Sequence, residues 1–188
     1  MKLTYPLLAL FLCGAALAGQ PQKAGDRHAA FYKGESLNYV ITPPDRYQMI
    51  EWDATADGYS FAFIPDNQVY DSADVTIGIN IYKIRGLNFS DVVVRDTVAL
   101  REYYGKKISI WAVDSVYAAS GQPIQTFFIN DTSRYIPNVM IAYVDGRTEM
   151  LVFELVISER MTRIKAEDAF MDCLERLKAL PIGELGQK

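Results

Sequence analysis

The densest set of side chains able to do chemistry lies in one acidic stretch, Pro65 to Asp74, where Asp66, Asp71 and Asp74 stand with Asn67 and Ser72. Carboxylate, amide and hydroxyl oxygens are what Ca²⁺ takes, about six to eight at a time. The three aspartates are therefore the candidate metal ligands, with Ca²⁺ the one cofactor the sequence puts forward. The spacing lacks the Asp-x-Asp-x-Asp-Gly order of an EF-hand, and a solvated acidic loop has the same composition. Zinc sites of the common Cys/His kinds are excluded by count, because the chain has one histidine and two cysteines. No Walker loop and no dinucleotide-binding glycine pattern is present.

Nucleophilic catalysis has equally little to stand on. A serine or cysteine nucleophile needs a base beside it, usually histidine. His28 lies in a polar stretch broken by Pro21, Gly25 and Gly34, and no Gly-x-Ser-x-Gly elbow occurs. Cys173 falls on the apolar stripe of a predicted helix, where a thiol behaves as a small hydrophobe. Carboxylates are abundant enough to pair for acid–base work, but their spacing favours no particular pair, so no catalytic residue is assigned. Aromatic side chains are the other candidate feature. Trp52, Tyr70, Tyr82, Tyr103, Tyr117, Tyr135 and Tyr143 are too many for one core layer. Tyrosine suits interfaces because it joins large area to a polar tip. Tyr70, Tyr82 and Tyr135 are the interaction candidates among them.

These residues must be positioned mainly by strands. Leu37 to Thr42 reads as a strand stopped by Pro43-Pro44, since proline cannot donate to a ladder. Tyr47 to Ala54 and Tyr59 to Ile64 flank Ala56-Asp57-Gly58 as a predicted hairpin, with Tyr59, Phe61 and Phe63 on one face. Val75 to Ile84 is the clearest alternation, with Val75, Ile77, Ile79 and Ile81 inward and Thr76, Asn80 and Tyr82 outward. A helix is predicted from Ser90, as N-cap, to Tyr104. Its Val92-Val93-Val94 run has poor helix propensity, so it depends on packing. Lys107 to Ala118 and Ile124 to Ile129 read as strands around Ser120-Gly121-Gln122-Pro123. Val139 to Val144 and Met150 to Ile157 then flank Asp145-Gly146, and Glu149 and Glu154 fall on opposite sides of the second strand. A closing amphipathic helix, Ile164 to Leu180, puts Ala166, Ala169, Phe170, Cys173, Leu174 and Leu177 on one stripe. The sum is an α+β domain: a mostly antiparallel sheet of seven to nine strands packed with two helices, the last at the C-terminus.

Composition bounds the rest. Residues 1–18 have the form of a secretion signal, with Lys2, an apolar run from Leu3 to Leu12 and a small-x-small site at Ala16-Leu17-Ala18. Cleavage near Ala18 predicts a periplasmic or secreted protein with a flexible lead-in over 19–36, from which Ala29 to Tyr32 can dock on the domain, and a single domain over 37–188. The alternative, a lipid anchor on Cys13, meets a bulky Leu12 where a small residue is normal. Without the signal Cys173 is the only cysteine, so no intramolecular disulfide is expected and the domain must hold by packing. Half the residues are hydrophobic and 12% are aromatic, which makes that feasible. Losing Lys2 takes the net charge from −4 to −5, a mild acidity that argues against nucleic acid and anionic membrane surfaces. The signal's apolar run is too short to span a bilayer, which needs about 20 apolar residues, and no later stretch is long enough. Asn88-Phe89-Ser90 and Asn130-Asp131-Thr132 match the glycosylation sequon and are accidental in a bacterium.

The order of elements resembles the PsbP/Mog-like α/β/α sandwich, the fold of the PsbP subunit of photosystem II and the Mog Ran-binding proteins. The resemblance rests on Leu37-Asn38-Tyr39-Val40-Ile41-Thr42-Pro43 followed by Tyr47, on the alternating strand before a mid-chain helix, and on the closing strand pair around Asp145-Gly146 with its final helix. It covers roughly Leu37 to Leu180. The opening segment has a Tyr where that superfamily often has Trp. What the resemblance implies is a sandwich acting through binding surfaces, in an exported setting as an envelope-accessory or immunity-like domain. The expected function is thus non-enzymatic protein binding. The alternatives are a small apolar-ligand carrier, disfavoured by bulky residues at most inward strand positions, and a carboxylate-dependent hydrolase.

Overall fold

The structure, a computed structural model, describes residues 22–23, 29–84, 86–104, 108–114, 116–131, 139–158 and 163–182. In chain order the elements are β1 (Gln22–Lys23), β2 (Ala30–Lys33), β3 (Leu37–Ile41), β4 (Tyr47–Ile50), α1 (Trp52–Ala56), β5 (Phe61–Pro65), β6 (Val75–Lys83), α2 (Phe89–Tyr104), β7 (Ile108–Ala112), β8 (Val116–Tyr117), β9 (Pro123–Asp131), β10 (Val139–Asp145), β11 (Glu149–Ile157), α3 (Arg163–Arg176) and β12 (Lys178–Pro181). A 3-10 turn, Tyr70–Ser72, lies between β5 and β6. An eight-stranded sheet runs β4-β5-β6-β11-β10-β9-β7, with β8 also paired to β9, and a second sheet runs β1-β2-β3-β12. Every strand pair described is antiparallel.

The alternation of β6 fixes which residues look which way, and its neighbours follow by register. Val75, Ile77 and Ile79 join Phe61 and Phe63 of β5, Leu151, Phe153 and Leu155 of β11, and Ala142 and Val144 of β10 in the larger core. The small sheet closes that core through Tyr32, Leu37, Tyr39 and Ile41, and α3 closes it through Ala166, Phe170, Cys173 and Leu174. The opposite face is covered too. Here Val93 and Leu100 of α2 pack on Ile141, Tyr143, Met150 and Val152, while α1 and the 3-10 turn cover Ala62 and Ile64. With helices against both faces, β11 is buried at nearly every position. That two-sided cover makes the side chains on its α2 face interior rather than wet.

Several expectations change. The segment 19–36 supplies β1 and β2, and β2 pairs with β3 while burying Ala30 and Tyr32, so this part of it is ordered sheet. The predicted hairpin does form, Tyr47 opposite Pro65 and Ile50 opposite Ala62. Its Asp57-Gly58 pair is a helix stop rather than a two-residue turn. Gly58, at φ 88°, donates to Thr55 O and Tyr59 N donates to Ala54 O, the paired bonds that end a helix on a left-handed glycine. Tyr59 consequently packs with Ala62 and Ile64, on the face opposite Phe61 and Phe63. The mid-chain helix begins at Phe89, with Asn88 rather than Ser90 as its N-cap, Asn88 Oδ1 accepting the Asp91 N–H. The last helix ends at Arg176. Lys178–Pro181 continues as β12 against β3, because the chain must return to the small sheet to bury Ala179.

Candidate functional site

The acidic loop is tied down by two glutamines. Gln48 Nε2 donates to the carbonyls of Asp66 and Gln68, both at 3.0 Å, and more weakly to Pro65 at 3.4 Å. Gln68 pairs with Asp74 through both ends of its amide, Nε2 to Oδ2 at 2.8 Å and Asp74 N–H to Oε1 at 2.7 Å. Asp74 Oδ1 takes a further bond from Ser158 Oγ at 3.1 Å. Asp66 and Asp71 are exposed and Asp74 is half-buried. Among the described residues no group of three or more acidic, histidine or cysteine side chains converges as a cation would require. Both oxygens of Asp74 and the nearest carbonyls already have donors. Adding Ca²⁺ to millimolar concentration is expected to leave the melting temperature within about 1 °C; a clear rise would return these aspartates to candidacy.

The tyrosine candidates separate. Tyr70 is only 2% exposed, held in the small core with Ala54, Ala62 and Ile64, so it offers no ring to a partner. Tyr135 lies outside the described residues. Tyr82 is half-buried, and it brings up a constellation that sequence reasoning missed. On the α2 face of the large sheet two carboxyl groups are buried, Asp96 from α2 at 6% exposure and Glu154 from β11 at 5%. Tyr143 OH of β10 donates to Asp96 Oδ2. Tyr59 OH donates to Glu154 Oε2 at 2.9 Å. Burial pushes the Asp96 carboxyl up to about 6 despite the Tyr143 bond. It pushes Glu154 up to about 7, against the Tyr59 bond and with the Asp96 charge adding to the rise. The phenols move the same way: Tyr59, Tyr82 and Tyr143 are all held well above the usual range, first by burial and then by these carboxylates. Two acids matched to near-neutral pH have the tuning of acid–base catalysts. They lie closed beneath α2, where they act on the fold.

A third buried carboxyl, Glu149, stands on the other face of β11 and joins the two sheets. It accepts the Glu35 N–H from the β2–β3 turn, while Lys83 pairs with Glu35 at 2.6 Å and Ser36 Oγ meets Thr148 Oγ1 at 2.7 Å. Burial raises the Glu149 carboxyl above its ordinary value, with the Glu35 bond opposing. Gly146, in the β10–β11 turn, is a glycine of close approach: a Cβ there would meet Tyr39 OH and Glu149 O at less than 3.0 Å. Cys173 is fully buried and its thiol is pushed up by burial, which leaves it inert toward electrophiles.

The exposed feature is the far edge of the large sheet. β7 pairs with β9 on one side only, Ile110 opposite Ile129 and Trp111 opposite Phe128, and among the described residues no strand lies on its other side. Val113 N donates to Thr126 O, so by the period of two Ser109 and Trp111 also bond inward. Ile108, Ile110 and Ala112 therefore turn their main-chain groups toward the open edge. Arg101 Nη2 reaches one of them, the Ile110 carbonyl, at 3.3 Å. Trp111 stacks on Phe128 with centroids 5.1 Å apart and 13° between planes, yet stays 45% exposed. Natural edges are usually blunted by charge or proline, and Ile108–Ala112 carries neither. The signal was present in the sequence as an indole within an uncharged run next to a helix, but nothing there says which strand is terminal.

Comparison with known proteins adds the fold alone. No family model matches the chain, and no curated protein matches it. Among solved structures it is similar to the solution structure of cyanobacterial PsbP (CyanoP) from Synechocystis sp. PCC 6803. The identity is 12% and the TM-score 0.51, over 84% of this chain and 96% of that one. The α+β architecture anticipated from the order of elements is present, and it is PsbP-like. No described helix is long and apolar enough to cross a membrane.

Proposed function

We propose that this chain is an exported accessory protein that works by binding another protein, and that the partner adds an extended segment to the β7 edge. The observation that carries the reading is the open, uncharged edge with a stacked, half-exposed tryptophan beside it. Strand addition draws affinity from main-chain hydrogen bonds and specificity from alternate side chains. β7 supplies the outward main-chain groups of Ile108, Ile110 and Ala112 for the first and the Trp111 face for the second. Tryptophan at such a position is the residue type most often found to dominate an interface. Export, with the mature protein in the periplasm or medium, follows from the signal-like residues 1–18.

Affinity capture by the mature chain from an envelope extract tests the reading. One protein is expected at stoichiometric yield, and Trp111→Ala should lower its recovery at least tenfold. Ile110→Pro should do the same. Of the main-chain groups it deletes only an outward N–H and so leaves the β9 ladder whole, at the loss of the part-buried Ile110 side chain. Absence of any stoichiometric partner, or equal recovery by wild type and both variants, would overturn the proposal.

A further inference from the structure

Helix α2 is held on the sheet by little. Val93 and Leu100 are its fully buried apolar anchors, Phe89 and Val92 are packed only in part, and Val94 and Val98 face solvent. Its buried polar tie is Asp96 on Tyr143, and the exposed Arg101 adds a longer bond to the Ile110 carbonyl at 3.3 Å. Thr97 spends its hydroxyl within the helix, donating to Val94 O at 2.9 Å. The Val92-Val93-Val94 run gives the helix little intrinsic stability apart from that packing.

Among the described residues the groups facing this buried tie come from every neighbouring element, and they are neutral or acidic. β11 presents Glu154, β10 presents Tyr143, and β6 presents Tyr82, while Asn80 of β6 accepts the Ser60 N–H. The loop before β5 presents Tyr59, which feels Asp57 and Tyr70 in turn. Among the described residues no cation acts on either carboxyl. A carboxylate ionised there has, among the described residues, phenolic donors and a second carboxylate beside it, and lifting α2 carries Asp96 toward water.

We propose that Asp96 and Glu154 form a pH-operated latch on α2: with protons on the pair the helix is seated, and with both ionised it lifts and bares the apolar sheet face beneath. The face uncovered comprises Ile141, Tyr143, Met150 and Val152 and runs on to the packed side chains of Ile108 and Ile110 on β7. Both folded-state values, about 6 and about 7, lie above the ordinary carboxylate values of 3.8 and 4.5. Seating is therefore complete in mild acid and is lost as pH rises through 6 and 7.

Hydrogen exchange read by element tests this. After correction for the intrinsic rate, α2 amides are expected to lose at least tenfold in protection between pH 5.5 and 8.5, while α3 amides hold theirs, and a dye for apolar surface should brighten over the same range. Glu154→Gln should remove most of the α2 change, and Asp96→Asn serves if that variant folds poorly. Constant α2 protection across the range would overturn the latch. So would α2 and α3 falling together, or a change that survives both substitutions.

Discussion

Gly78→Val is expected to remove roughly 3 kcal/mol of stability or to prevent folding, although it adds only two methyl groups and a Cβ to a strand that favours them. Gly78 lies mid-strand in β6, opposite Glu154 and Ala62, and its φ is not positive. Its role is space. A Cβ there would come within 3.0 Å of Cδ1, Cε1 and Cζ of Tyr59. That is the body of a ring rather than the loose end of a flexible chain. The ring cannot swing aside cheaply, because its hydroxyl bonds Glu154 and its edge packs in the α1 core. Overpacking costs about 1–3 kcal/mol, and a buried acceptor left without its donor costs a similar amount. Urea denaturation of Gly78→Val, Tyr59→Ala and the double variant checks the cause. The double variant should be more stable than Gly78→Val alone, since removing the ring removes the clash. Additive losses would place the strain elsewhere.

Gly78 also shows where reading the sequence stopped. The alternation Val75, Ile77, Ile79 was legible because one face of β6 is uniformly aliphatic, and the same holds for Leu151, Phe153 and Leu155 on β11. The other face of β6 mixes Thr76, Gly78, Asn80 and Tyr82, which has the look of solvent exposure, and the same face of β11 carries Glu154. It is interior because α1, α2 and the 3-10 turn cover it, a fact of tertiary structure invisible to a period-two pattern. Asp57-Gly58 was legible as a chain reversal but not as the end of a short helix, since the same dipeptide serves both. Ala30 and Tyr32 looked like lead-in because the small sheet they join is completed by β12, which comes from far along the chain and pairs with β3. The site follows the same division. Tyr82 was singled out as a surface aromatic and belongs instead to the buried acid cluster, while Trp111 takes the exposed position on an edge that only the pairing order defines. What the PsbP-like fold adds is the two-sided helical cover itself, which turns ordinary-looking carboxylates into titrating ones.

Global stability should consequently fall as pH rises from 5 to 8.5, the reverse of the usual acid lability of proteins held by paired carboxylates. A carboxyl whose folded-state value is raised binds more protons when native than when unfolded, so its full contribution is present below the unfolded value and is lost as pH climbs through the folded one. For Asp96, raised from 3.8 to about 6, and Glu154, raised from 4.5 to about 7, the window is about pH 4 to 8. Each shift corresponds to about 3 kcal/mol, so the pair sets an upper limit of roughly 6 kcal/mol. Glu149 is displaced in the same direction and adds to the slope. Asp45, lowered by its bond to Arg176, works in the opposite sense, below the window. The two apolar anchors of α2, Val93 and Leu100, are worth about 1.5–3 kcal/mol each on burial, a sum of the same size as the limit for the pair. Undocking α2 thus becomes the cheaper outcome before the full electrostatic penalty is reached, and the measured loss should level off near the energy that seats the helix. Urea denaturation across this range is expected to show a loss of several kcal/mol that flattens toward pH 8.5, and Glu154→Gln should reduce it by about half. A stability that is flat or rising with pH would mean that the carboxyls are hydrated in the native state, and that α2 does not close over them.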